Sequence, residues 1–369
     1  MRRVGLIINP IAGMGGAVGL KGTDGIEIVK KARALGAENV SLERAKAFLR
    51  SFGALLSTIE FLTCQGEMGE GVFQELKIPC KVIPGRTGET SAEDTKSAAK
   101  YMQNSDVGII AFCGGDGTAR DILDAVEQRV PVIGIPSGVK MHSGVFAVSP
   151  KAAAEIVTKF LWDELPLKEA EVADVDEDAF REGRLSARLY GYLIAPYEPT
   201  GIQGMKAPTP ITDEVSENRR AIAKWVIENM EDGVIYILGP GSTVKTINEV
   251  LNMEGMLLGV DLVLDKRMLR SDVGEREILE AISKRPARIV VSPIGRQGFI
   301  FGRGNQQISG RVLRKLGKEA VMILSTREKL EGIQVLRVDT GDPDTDALFR
   351  GTMRVLVDYG IFRAMKVES

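Results

Sequence analysis

One histidine, three cysteines and no apolar run of membrane-spanning length are what this 369-residue chain has least of. With His142 the only imidazole, a histidine-rich metal centre is ruled out, and a Ser-His-Asp triad has one candidate base. Cys64, Cys80 and Cys113 are odd in number, lie in apolar segments and show no CxxC spacing. They read as reduced core thiols, not as a disulfide framework. The missing apolar run argues against a membrane helix, and Met1-Arg2-Arg3-Val4 before a short strand lacks the pattern of a secretory leader. A cytoplasmic protein with no membrane partner is expected. The formal net charge of −2 supplies no basic field, so nucleic acid is not an expected partner.

Glycine, by contrast, is abundant at 41 residues and clusters where helices begin, as in α/β proteins with ligand-facing turns. A composition of 44% hydrophobic and 27% charged residues is that of a soluble globular chain. Its length exceeds what one core usually supports, so two domains are expected.

The stretch from Asp106 to Asp121 organises the first half. A run over 107–113, rich in β-branched and aromatic residues, predicts a buried parallel strand. It breaks into Gly114-Gly115-Asp116-Gly117-Thr118, after which Ala119, Ile122, Leu123 and Val126 mark one face of a helix. Strand, glycine turn and helix start aim free N–H groups at an anion, and glycine lets a phosphate approach the main chain. Asp116 is the odd member, since a carboxylate repels phosphate. It makes sense as a ligand that holds Mg²⁺ against the phosphates, or as an acceptor of a proton from an attacking hydroxyl. An ordinary βα turn is the alternative. Other strands are expected over 4–8, 58–64, 81–83 and 130–135, with helices between them. Thr90 and Glu93 have capping-box spacing, and Ser149-Pro150 reads as N-cap and first residue of a helix reaching Leu161. The outline is a doubly wound parallel sheet. Lys140 and His142 fall on a turn at its carboxyl edge, where such sheets bind ligands.

The motif Gly-Gly-Asp-Gly-Thr at 114–118, with Asn9-Pro10-Ile11-Ala12-Gly13 after the first strand, resembles the superfamily of NAD kinases, diacylglycerol kinases and 6-phosphofructokinases. Gly19-Leu20-Lys21-Gly22-Thr23-Asp24-Gly25 and the stretch from Gly134 to His142 resemble, more narrowly, the ATP-NAD kinase family and its branch of acetoin-catabolism X-type (AcoX-like) proteins. The resemblance implies ATP- or polyphosphate-dependent phosphorylation of a hydroxyl, with Mg²⁺ and a homodimer or tetramer. It places Asn9, Gly13, Gly114, Gly115, Gly117, Thr118, Lys140 and His142 against nucleotide and phosphates, and Asp116 at the chemistry. NAD is the first acceptor it suggests. Another small alcohol, a nucleoside or a lipid-like acceptor is the second reading, and a non-catalytic nucleotide- or NAD-binding regulator the third.

Composition turns acidic over 162–178, so the nucleotide domain is expected to span 1–165 and the acceptor domain 166–369. Within the latter, 166–232 reads as irregular or β and 233–369 as α/β. Gly239-Pro240-Gly241-Ser242-Thr243 between strand and helix offers a second anion-binding helix start, with Gly241, Ser242 and Thr243 as candidates. Its weak likeness to the phosphate turn of ribose-5-phosphate isomerases makes an isomerase-like activity a fourth reading. In the polar stretch 293–309, Arg296, Arg303 and Asn305 suit amide, ribose or phosphate recognition, and Phe299-Ile300-Phe301 interrupts it. Asp342-Pro343 is expected to cap a helix; a cation site among Asp339, Asp342, Asp344 and Asp346 is the alternative. This half departs from the mostly β second domain of NAD kinases, and Asn248-Glu249 lies within an expected helix, so no dinucleotide role is carried onto it.

Overall fold

Five short strands, most of their residues apolar, form the parallel sheet of the first unit in a computed structural model of the chain. The structure describes residues 2–16, 18, 26–37, 39–85, 90–126, 128–137, 141–175, 187–198, 213–294 and 298–368. Strands β1 (Arg3–Ile8), β2 (Glu60–Cys64), β3 (Lys81–Ile83), β4 (Ile109–Gly114) and β5 (Val132–Pro136) pair in the order β3-β2-β1-β4-β5. Helices α1 (Ile26–Ala34), α2 (Val40–Arg50), α3 (Glu70–Leu76), α4 (Ala92–Gln103), α5 (Asp116–Val126) and α6 (Pro150–Leu161) connect and flank them.

Strand β4 is buried throughout, and its side chains alternate between two cores. Ile109, Ala111 and Cys113 join Phe48, Phe61 and Val157 on one face, while Ile110 and Phe112 join Met102, Ile122 and Phe146 on the other. The doubly wound parallel sheet expected from the sequence is therefore present. Helix α6 has the expected cap: Ser149 Oγ accepts from the Ala152 amide at 3.1 Å, with Pro150 in the first turn. The capping box of α4 sits one residue later than expected, with Ser91 N donating to Asp94 at 2.8 Å. Two overlapping frames of equal spacing occur there, and the one that turns Thr95, Ala98, Ala99 and Met102 inward is used.

The acidic stretch after α6, expected to be irregular or β, belongs to an antiparallel pair, β6 (Leu167–Val175) and β7 (Ala187–Pro196). Its Val172 and Leu193 enter the same core as Phe112 and Phe146. The chain accordingly forms two compact units, the first of Met1–Met14 and Gly22–Met205 and the second of Gly15–Lys21 and Lys206–Ser369.

In the second unit a nine-stranded mixed sheet runs β10-β9-β8-β11-β13-β15-β16-β14-β12. Its elements in order are α7 (Asp213–Glu228), β8 (Ile235–Leu238), α8 (Ser242–Val250), β9 (Asp261–Leu264), β10 (Arg267–Arg270), α9 (Glu275–Ile282), β11 (Ala287–Val291) and β12 (Phe299–Phe301). Then come α10 (Gly310–Leu316), β13 (Val321–Leu324), α11 (Arg327–Glu331), β14 (Leu336–Val338), α12 (Pro343–Leu348), β15 (Gly351–Asp358) and β16 (Ile361–Glu368). Strands β8, β11, β13 and β15 are mutually parallel neighbours, which gives this unit its α/β character. Asp342 caps α12, accepting from the Asp344 amide at 3.2 Å.

Candidate functional site

Strand order in the first sheet reverses between β1 and β4, so their following segments leave toward opposite faces and open a crevice at the carboxyl edge. The two glycine-bearing motifs sit at this reversal. Asn9, just past β1, donates from Nδ2 to Thr118 Oγ1 at 3.0 Å, and its own Oδ1 accepts from the Ile11 amide at 3.2 Å. That ties the first loop to the first turn of α5. Gly13 has φ +82°, and a Cβ there would lie 1.9 Å from the Ser137 carbonyl. Gly114 is packed as closely: a Cβ would meet Thr118 Oγ1 at 2.4 Å. Gly117 is different, exposed with open space where its Cβ would be. The Ser137 amide donates to the Gly114 carbonyl at 3.1 Å, joining the segment after β5 to the same edge.

Asp116 opens α5, but its carboxylate does not project freely toward a ligand. It is 5% exposed and accepts from the His142 amide at 2.6 Å, the Ser143 amide at 2.9 Å and Ser143 Oγ at 2.7 Å. Burial pushes its pKa up to about 7, against the lowering effect of these three donors; the charge of Asp174 raises it further. Ser143 also lies 2.9 Å from the Ala173 carbonyl and accepts from the Ala173 amide at 3.1 Å. Its single hydroxyl hydrogen can serve Asp116 or the carbonyl, not both. When Asp116 is ionised, Ser143 donates to it. When Asp116 is protonated, the acid donates to Ser143 and the hydroxyl turns to Ala173. Both protonation states are satisfied, which suits a group that exchanges a proton.

Ser143 is the residue that sequence reasoning missed. It lies one residue past His142, and a neutral hydroxyl carries less of a ligand signal than the charge of Lys140 or the imidazole of His142. Lys140 lies outside the described residues, as do Lys21 and Arg296. His142 is buried, and its main-chain amide is what reaches Asp116. Asp121 is also raised, to about 6, mainly by burial, with Lys96 of α4 opposing the shift.

The candidates of the second unit are placed within it. Arg303 is buried, paired with Asp339 at 3.1 Å, and its guanidinium lies 4.6 Å from the Phe299 ring centroid. Asn305 donates to the Ile300 carbonyl at 2.8 Å. Phe299, Ile300 and Phe301 form β12, wholly in the core, which explains the apolar interruption of the polar stretch. Asn248 is inside α8 and donates to Asp261 at 2.9 Å, a bond that helps hold the 256–272 segment. Gly241, with φ +119°, precedes α8, and Thr243 is buried in its first turn.

Among the described residues no three His, Cys, Asp or Glu side chains gather as a metal-binding group. Three donors already occupy the oxygens of Asp116. The His142-bonded oxygen of Asp116 keeps one lone pair, enough for a single proton, whereas a resident Mg²⁺ needs further anionic ligands that do not gather here among the described residues, so the residues present do not fit that ion. Among the described residues no helix is long and apolar enough to cross a membrane.

No curated protein matches the chain significantly. The family model of the ATP-NAD kinase N-terminal domain matches residues 4–165, the region that holds Asn9, Asp116 and Ser143. The model of the ATP-NAD kinase C-terminal domain matches 231–367, so the second half, read from sequence as a departure, carries the family pattern too. With both domain models matched in order over most of its length, and with the glycine-aspartate turn at the reversal of a parallel sheet, the chain belongs to the ATP-NAD kinase family of ATP-dependent kinases.

Proposed function

We propose that the chain transfers the γ-phosphoryl group of ATP to a hydroxyl of NAD at the carboxyl edge of the first sheet. The observation that supports this most is the meeting of Asn9, Thr118 and Asp116 where strand order reverses. Phosphoryl transfer depends on positioning and charge more than on covalent chemistry, and main-chain amides at a helix start supply both. Gly115 and the exposed Gly117 present those amides, while Gly114, Asn9 and Gly13 hold the two loops against each other. Asp116 takes the acceptor proton as the acceptor oxygen bonds to phosphorus and the bond to ADP breaks. A pKa of about 7 leaves it ionised often enough to act near neutrality and basic enough to hold the proton.

The mixed α/β sheet of the second unit favours a second reading, a kinase of another small alcohol or nucleoside. Incubation with ATP, MgCl₂ and NAD, read by an NADP-specific coupled assay, tests the first. ADP release with another alcohol, and no NADP, transfers the assignment to that acceptor. Binding of ATP with no turnover on any acceptor leaves a regulatory nucleotide-binding protein. The AcoX-like affinity, a cytoplasmic location and a homo-oligomeric state belong to the same proposal; light scattering on the purified protein tests the last.

A further inference from the structure

Three adjacent parallel strands of the second unit end together, and polar groups follow each one. After β8 comes the turn Gly239–Thr243 leading into α8, with the Gly239 amide donating to the Val290 carbonyl of β11 at 2.8 Å. After β11 comes Ser292, buried. After β13 come buried Ser325 and Thr326, the latter capping α11, which carries Lys329. The Lys329 ammonium donates to Ser292 Oγ at 3.0 Å. Among the described residues it has no ion pair. Helix α7 brings Arg219 to the same place, since the adjacent Asn218 accepts from the Arg327 amide at 3.2 Å and donates to the Val357 carbonyl at 2.9 Å. Arg219 Nε is shut off from solvent with no hydrogen-bond partner among the described residues. Glu249 and Glu328 attract its charge without bonding to it, and both are exposed.

Two cations close enough to repel, one hydroxyl and a glycine turn at a helix start form an arrangement short of negative charge. Burial, then the Arg219 charge, lowers the Lys329 pKa to about 8. Surface cations are ordinarily relieved by water or by a carboxylate; here partial burial limits the first and, among the described residues, no carboxylate bonds to either group. An oxyanion between them would answer Lys329, Arg219 Nε and Ser292 at once.

We propose that this edge of the second unit is a binding site for a phosphoryl dianion carried by a small molecule, with Lys329, Arg219 and Ser292 as its side-chain ligands. The amides of Ser242 and Thr243, at the start of α8, complete it. The assignment goes beyond the reaction proposed for the first unit and does not depend on it.

Trace acetylation of lysines in the full-length protein near pH 8, read by mass spectrometry at constant ionic strength, tests the site. Inorganic phosphate and glycerol 3-phosphate are the probes, and whichever protects at lower concentration identifies the carrier. At about ten times Kd, occupancy should slow labelling of Lys329 about tenfold. Exposed lysines such as Lys284 should be unaffected. Titration calorimetry with Lys329→Met and Arg219→Met should each show phosphate binding weaker by roughly tenfold or more. Equal protection by chloride, or an unchanged Kd in the variants, overturns the proposal. Should Lys329→Met fail to fold, the protection of wild-type Lys329 and the Arg219→Met titration decide. Loss of NADP formation with this binding intact would count against the first-unit reaction alone.

Discussion

Asp116 illustrates how a residue's identity and its situation separate. Its place after two glycines marks it as unusual in any reading of the chain, but nothing in that pattern says that its oxygens turn toward amides twenty-six and twenty-seven residues away. Asn in its place would put an N–H₂ group against at least one of three donors. Asp116→Asn is therefore expected to lower kcat by about 10² or more, the usual weight of a general base, and to cost about 1–3 kcal/mol of stability. Steady-state ADP release and urea unfolding measure the two. Because the base must be ionised, kcat should rise as pH increases through about 7 and level off above it. Ser143→Ala removes a donor that favours the ionised form, so the Asp116 pKa should rise and the acidic limb should move to higher pH. A pH–rate profile of that variant separates this positioning role from simple loss of structure, which would lower kcat equally at every pH.

At the scale of elements, local chemistry is a good guide where the signal is confined to a few neighbours. Ser149-Pro150 and Asp342-Pro343 start helices as their residue types require, because the capping oxygen and the capped amide lie within three positions. Ser149→Ala should destabilise the protein by about 1 kcal/mol in denaturant unfolding, with activity retained. The segment 166–232 reads from sequence only as irregular or β, because Glu169, Glu171 and Asp174 break up the apolar pattern of β6, although Val172, Ala173, Leu193 and Ala195 turn deeply inward. In the polar stretch 293–309 the structure adds partners that sequence cannot show. Arg303 pairs with Asp339 past the end of β14, and Asn305 donates to the Ile300 carbonyl.

For the whole molecule, the division into two units changes which contacts can be assigned to which task. The first unit holds the sheet edge that carries Asp116 together with the hairpin whose Ala173 meets Ser143, so a division at residue 165 would part those two residues. If amides and not the carboxylate hold the phosphates, as proposed, Mg·ATP should raise the melting temperature of wild-type protein and Asp116→Asn alike, with stabilisation following RT ln(1 + [L]/Kd). Differential scanning calorimetry checks this. A shift lost in Asp116→Asn would make the carboxylate part of nucleotide binding and remove the separation between holding and reacting. Cys64 and Cys113, buried and with pKa pushed up to about 12, should resist alkylation in the native state, with or without nucleotide.

The chain's own order of residues was enough to determine the parallel α/β sheet, the glycine turn with its acid, and the caps of α6 and α12, because each depends on hydrophobic period or on partners a few residues apart. Tertiary structure alone decided that Asp116 faces Ser143, that the hairpin joins the first unit, and that Lys329 meets Ser292. Those outcomes depend on strand order, which brings together segments far apart in the chain, and on burial, which sets how a charge behaves once it arrives.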